Sequence, residues 1–130
     1  MSLTGHNPKT VHAPQGRYTH MIEVPAGASF VYLSGQVPVA LDGSVGATLA
    51  EQARQVYANI VAVLRARGIP PHHIVKLTTF YTDPNDPDDV VRKAREQYLG
   101  EHRPASTAVC VRSLVDPAWR IEIDAVAFVT

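Results

Sequence analysis

Glu122 and Asp124 stand two residues apart near the end of the chain, alternating with Ile121, Ile123, Ala125 and Ala127. In a strand this spacing puts both carboxylates on one face and the aliphatic side chains on the other. A carboxylate so placed can pair with Arg120 or Arg112 as a structural charge, or it can line a cleft and handle a proton. Spacing leaves both readings open. Six histidines, His6, His12, His20, His72, His73 and His102, are scattered, and no pair has the spacing of a helical zinc site. His20 alternates with Tyr18 and could approach a cleft, whereas His72-His73 follows Pro70-Pro71 and reads as a solvent-facing turn. The acidic run from Asp83 to Asp89 lacks the central glycine and terminal glutamate of a calcium loop, and helix capping accounts for it. Cys110 shares a strand face with Ser106 and Ala108 and reads as a buried, inert thiol. No glycine-rich phosphate loop occurs, and neither a metal nor a cofactor is expected.

These residues must be positioned by a small set of elements. Tyr18 to Val24 and Ser29 to Leu33 read as two strands of a hairpin joined by Pro25-Ala26-Gly27-Ala28, and Asp42-Gly43 marks another turn. Thr48-Leu-Ala-Glu51 has the form of a capping box, and Leu49, Ala53, Val56, Ile60 and Val63 recur at helical spacing. Arg65 and Arg67 suit the negative end of that helix, Gly68 can take the left-handed cap, and Pro70 forbids continuation. Ile74 to Thr82 reads as a strand. Asp86-Pro87-Asp88-Asp89 supplies an N-cap, a first-position proline and first-turn carboxylates for a second helix. That helix should run to about Leu99, with Val90, Val91, Ala94 and Tyr98 facing inward. Thr107 to Arg112 and Arg120 to Val129 complete the strands, and Trp119 packs the turn before the last one. This order predicts an α+β fold with both helices on one face of the sheet. The other face would need a second subunit to cover it.

The composition bounds the function. A chain of 130 residues, 45% hydrophobic and 18% charged, suits one globular domain, with residues 1–16 as a loose arm. Twelve acidic residues balance twelve basic ones, so no overall field gathers nucleic acid or an anionic membrane. A lone cysteine, an N-terminus with no apolar signal segment and no membrane-length apolar run point to a cytoplasmic protein.

Several blocks in order span most of the chain: Gly16-Arg-Tyr18, Leu33-Ser-Gly-Gln-Val-Pro38, Glu51 to Ile60, Ile74 to Phe80, Arg103-Pro-Ala-Ser-Thr-Ala-Val109 and Arg120 to Ala127. Together they resemble the RidA (YjgF) family. The resemblance implies a chorismate-mutase-like fold and a homotrimer, its sheets forming a central barrel with the helices outside. It also implies a small-molecule site in each cleft between subunits. Studied members hydrolyse enamines and imines such as 2-aminoacrylate to 2-keto acids and ammonia, without metal or cofactor.

Carried over residue by residue, the resemblance makes Glu122 the group that positions water. It places Tyr18, the backbone of Gly35, Ser106 and Thr107 around the substrate. Three positions depart from the pattern. Ser106 follows Pro104-Ala105 where active members carry an arginine, Ala108 stands for a cysteine, and Arg92 for an asparagine. A guanidinium clamps a carboxylate with two charge-assisted bonds, and a serine hydroxyl does not neutralise it. Loss of such a pair in a cleft costs about 2–5 kcal/mol. Arg17, directly before the matched tyrosine, is the first candidate to replace the cation, and Arg92 the second. Arg103 stands three residues before Ser106 and so points to the opposite strand face.

The expectation is a divergent family member that acts on or binds an enamine, imine or carbonyl-like metabolite. A non-catalytic sensor or carrier on the same scaffold is the alternative. The balanced charge and the lack of an aromatic-basic surface argue against an RNA-directed activity.

Overall fold

The computed structural model describes residues 2–130, and its first helix forms where the local signals place it. Helix α1 spans Leu49–Arg65. The Thr48 hydroxyl accepts from the Glu51 amide at 3.2 Å, while the Glu51 carboxylate reaches back to the Ala47 amide at 3.0 Å, one residue beyond the box position. Gly68 takes φ 73° and the Ile69 amide donates to the Leu64 carbonyl at 3.0 Å, closing the C-terminal end. Gln52, Ala53, Val56, Tyr57, Ile60, Val61 and Leu64 are buried. Val63, expected inward, is 45% exposed. The buried stripe moves toward Val61 and Leu64 at the helix end, because a spacing of about 3.5 residues drifts around a helix of about 3.6 residues per turn.

Helix α2 spans Val90–Leu99 and starts later than the Pro87 position expected from sequence. Asp89 takes a left-handed φ of 54°, which keeps it out of the helix. Asp86 still caps the helix, because its carboxylate accepts from the Val90 amide at 2.9 Å and the Val91 amide at 3.2 Å. Ala94 and Leu99 are buried, and Tyr98 stacks on Tyr57 with ring centroids 6.5 Å apart.

The strands are β1 (Thr4–His6), β2 (Met21–Glu23), β3 (Ser29–Gln36), β4 (Ile74–Tyr81), β5 (Ala105–Cys110) and β6 (Ile121–Val129). The main sheet has the order β3-β6-β4-β5, antiparallel at β6 and parallel between β4 and β5. The expected hairpin does not form. A turn does close at Pro25–Ala28, but β2 pairs with β1 in a separate ribbon, Gly5 opposite Ile22, and β3 pairs with β6. The segment expected as a loose arm therefore carries a strand. β5 also begins at Ala105, not Thr107, and ends at Cys110.

Both helices cover one face of the main sheet. Ile121, Ile123, Ala125 and Ala127 of β6 meet Ile74 and Leu77 of β4, Val56, Tyr57 and Ile60 of α1, and Ala94 of α2 in one core. Alternation sends Glu122 and Asp124 of β6, Phe80 of β4 and Val109 of β5 to the other face, which bears no helix among the described residues. Tyr32 on that face is 77% exposed. The α+β fold with two helices on one face of a mixed sheet is the one read from the sequence.

Candidate functional site

A cavity of about 520 Å³ opens on the helix side, lined among others by Gly16, Arg17, Tyr81, Asp86, Arg92 and Arg95. The segment around Arg17 is brought there by backbone bonds to the start of β5. The Thr19 amide donates to the Pro104 carbonyl at 3.2 Å, and the Thr19 hydroxyl to the Arg103 carbonyl at 2.6 Å.

Arg17 and Arg92, the two cations favoured from sequence, both line this cavity and both end on one acid. Glu96 Oε1 accepts from Arg17 at 2.8 Å and from Arg92 at 2.9 Å. Arg92 also bonds Asp89, and that hydrogen bond, then the one to Glu96, holds its guanidinium above the ordinary arginine pKa. Ser106 faces the same side, because its β4 neighbour is the core residue Leu77. Its hydroxyl accepts from Arg95 Nη2 at 3.2 Å. Arg95 further donates from Nε to the Tyr57 hydroxyl at 3.0 Å and from Nη1 to the Arg17 carbonyl at 2.8 Å. Sequence reasoning missed Arg95. The available signal was its place on α2: Val91, Arg95 and Tyr98 lie at helical spacing, so a cation interrupts the inward stripe and must find buried partners.

Gly35, Thr107 and Glu122 lie on the opposite, helix-free face. Glu122 is paired in register with Phe80. A Cβ on Gly35 would stand 2.2 Å from Glu122 Oε2, so the carboxylate rests against bare backbone at an irregularity between Leu33 and Gln36. Among the described residues Glu122 forms an ion pair with neither Arg112 nor Arg120. The Thr107 hydroxyl accepts from Lys76 Nζ at 2.6 Å.

Tyr18 follows Arg17 but turns its hydroxyl to the Gln15 amide at 3.1 Å, with its ring edge-on to His20 at 5.5 Å. His20 is engaged by the arm through the His12 carbonyl at 2.7 Å. Two expectations away from the site are corrected. Cys110 is exposed, because β5 is an edge strand, and His73 stacks on Phe128 at 4.1 Å instead of facing solvent. Among the described residues no group of three or more His, Cys, Asp or Glu side chains could hold a metal ion, and no helix is long and apolar enough to cross a membrane.

Comparison with known proteins agrees with this fold. Residues 9–129 match the family model described as Endoribonuclease L-PSP. The 2-iminobutanoate/2-iminopropanoate deaminase of Escherichia coli K12 is 36% identical over 122 residues, which cover 91% of this chain and 93% of that one. The crystal structure of YyfB from Yersinia pestis, a Rid-family protein of unknown function, superposes with a TM-score of 0.86 at 29% identity, covering 99% of this chain and 100% of the other. Escherichia coli TdcF with bound serine superposes with a TM-score of 0.72 at 29% identity, over 98% and 99% of the two chains.

Proposed function

This chain belongs to the RidA (YjgF) family, and from that premise we propose that it hydrolyses imines or enamines to carbonyl compounds and ammonia in a cleft completed by a neighbouring subunit. The observation that carries this reading is Glu122, a carboxylate on the helix-free face, set against the backbone of Gly35 and outside any ion pair among the described residues. A carboxylate in that position can take a proton from water as the water oxygen bonds to the imine carbon. The proton then passes to nitrogen, the C–N bond breaks, and ammonia and the keto compound leave. Atoms balance as imine plus water, with no oxidant consumed. Backbone amides around Gly35 would position the substrate, Thr107 would bond it, and Tyr18 would close the pocket. The deaminase named for 2-iminobutanoate and 2-iminopropanoate, 36% identical to this chain, supports the assignment.

The helix-free face needs a cover, and we assign Phe30, Tyr32 and Val109 to contacts among three copies of the chain around a central barrel. Ser106, standing where active relatives carry an arginine, favours a second reading in which the cleft binds a metabolite without turning it over.

The test is keto-acid release from 2-aminoacrylate generated in the presence of the protein. Acceleration that Glu122→Gln abolishes supports hydrolysis. No acceleration, with metabolite binding retained, selects the binding-only reading. RNA incubated alongside should stay intact.

A further inference from the structure

Three arginines line the cavity beside α2, and they are not equivalent. Arg17 and Arg92 converge on Glu96, and Arg92 also bonds Asp89, so both charges meet carboxylates of their own chain. The partners of Arg95 are all neutral: the Tyr57 hydroxyl, the Arg17 carbonyl and the Ser106 hydroxyl. Tyr57 is 0% exposed, and burial pushes its phenol up from its usual pKa against the pull of Arg95, so it accepts as an uncharged group. The acids of the cavity do not cancel Arg95 by contact, since Asp86 caps α2, Asp89 bonds Arg92 and Asp83 accepts from the Asn85 amide. A guanidinium carries five N–H groups. Those three bonds leave two without a partner among the described residues, one on each terminal nitrogen. An end-on, two-point bond to a carboxylate takes one N–H from each terminal nitrogen, which is the number left here.

We propose that Arg95 is the cation that binds the carboxylate of a small 2-imino or 2-keto acid in this cavity, with Tyr57 and Ser106 as the residues that position it. The proposal rests on the reading above and supplies the group that holds its substrate: Arg95 of one chain would grip the carboxylate while Glu122 of a neighbouring chain meets the imine carbon. Ser106 is then an acceptor that steadies a guanidinium arriving from α2, and its short side chain leaves that guanidinium room.

Pyruvate, the keto acid released from 2-aminoacrylate, and its uncharged amide, pyruvamide, are the probes, titrated calorimetrically into the full-length protein. Wild type should prefer pyruvate by at least about tenfold. The double variant Arg95→Met/Tyr57→Phe removes the cation without stranding a buried hydroxyl; it should lose at least about 30-fold in pyruvate affinity and the preference over pyruvamide. Should that variant unfold, Arg95→Lys keeps the charge but loses the fork, and should weaken pyruvate by about tenfold. Unchanged pyruvate binding in whichever variant is folded, or no pyruvate binding by wild type, overturns the assignment. Arg95-dependent pyruvate binding without imine hydrolysis would leave the assignment standing and remove the deaminase reading alone.

Discussion

The carboxylate of Glu122 fills the space that a side chain at residue 35 would need, with Oε2 2.2 Å from the position of a Cβ on Gly35. Gly35→Ala therefore displaces the Glu122 side chain from Cγ outward, with Cδ at 2.9 Å and Cγ at 3.1 Å from the new methyl. We expect imine hydrolysis to fall by about 10²–10⁴-fold, as for Glu122→Gln. The fold should lose less than about 1 kcal/mol by chemical denaturation. Full activity in Gly35→Ala would show that the carboxylate does its work from elsewhere.

Ser106→Arg, which sets there the arginine that the resemblance leads one to expect, should not by itself raise deamination. It sets a second guanidinium where Arg95 Nη2 already lies 3.2 Å from the hydroxyl, and like charges at such range repel. A loss of about 1–3 kcal/mol in stability is expected. Combined with Arg95→Ala, the same substitution should recover carboxylate binding. Strong activation by Ser106→Arg alone would contradict the placement of Arg95.

The Tyr57 phenol, raised by burial, keeps its proton to a higher pH in the folded chain than in the unfolded one. The unfolded chain then binds fewer protons above its own value, about 10, and stability falls as pH rises through that range. Denaturation between pH 9 and 11 should show this slope in wild type, and Tyr57→Phe should flatten it. Equal slopes in the two proteins would assign the loss to other groups.

His102 behaves in the opposite sense. Burial lowers its pKa against the hydrogen bond to the Ile74 carbonyl at 2.7 Å. The unfolded chain binds the proton first, so stability is present at neutral pH and declines as pH drops below about 6.5. His73, lowered chiefly by burial against Phe128, adds in the same direction. Unfolding free energy measured at pH 7.5 and 5.5 should differ more in wild type than in His102→Gln.

Light scattering should give three times the mass of one chain, and Tyr32→Arg should shift it to the monomer, since a charge at that position cannot be buried against a copy of itself. A wild-type monomer would leave the helix-free face without its proposed cover.

The sequence disclosed what is local. Thr48 with Glu51, Gly68 after α1 and Asp86 before α2 each act within a few residues of the backbone they cap, so both helices and most of the main strands were legible. Pairing between distant segments was not. Pro25 and Gly27 announce a turn, but no neighbouring residue says that β2 will pair with Thr4–His6 instead of β3. At the site, the sequence offers Arg17 and Arg92 as cations in place of the missing clamp, yet their engagement by Glu96 depends on how the arm meets α2. Arg95 was hidden for the same reason: its partners, Tyr57, Arg17 and Ser106, come from three separate parts of the chain.

Ser106 and Glu122 project from opposite faces of one sheet. If both residues serve one small molecule, as proposed, a site must take one of them from a neighbouring chain. Catalysis would then be a property of concentration. On dilution below the point where subunits part, specific activity should collapse faster than the amount of protein, and inactive chains bearing different lesions should restore one another when mixed.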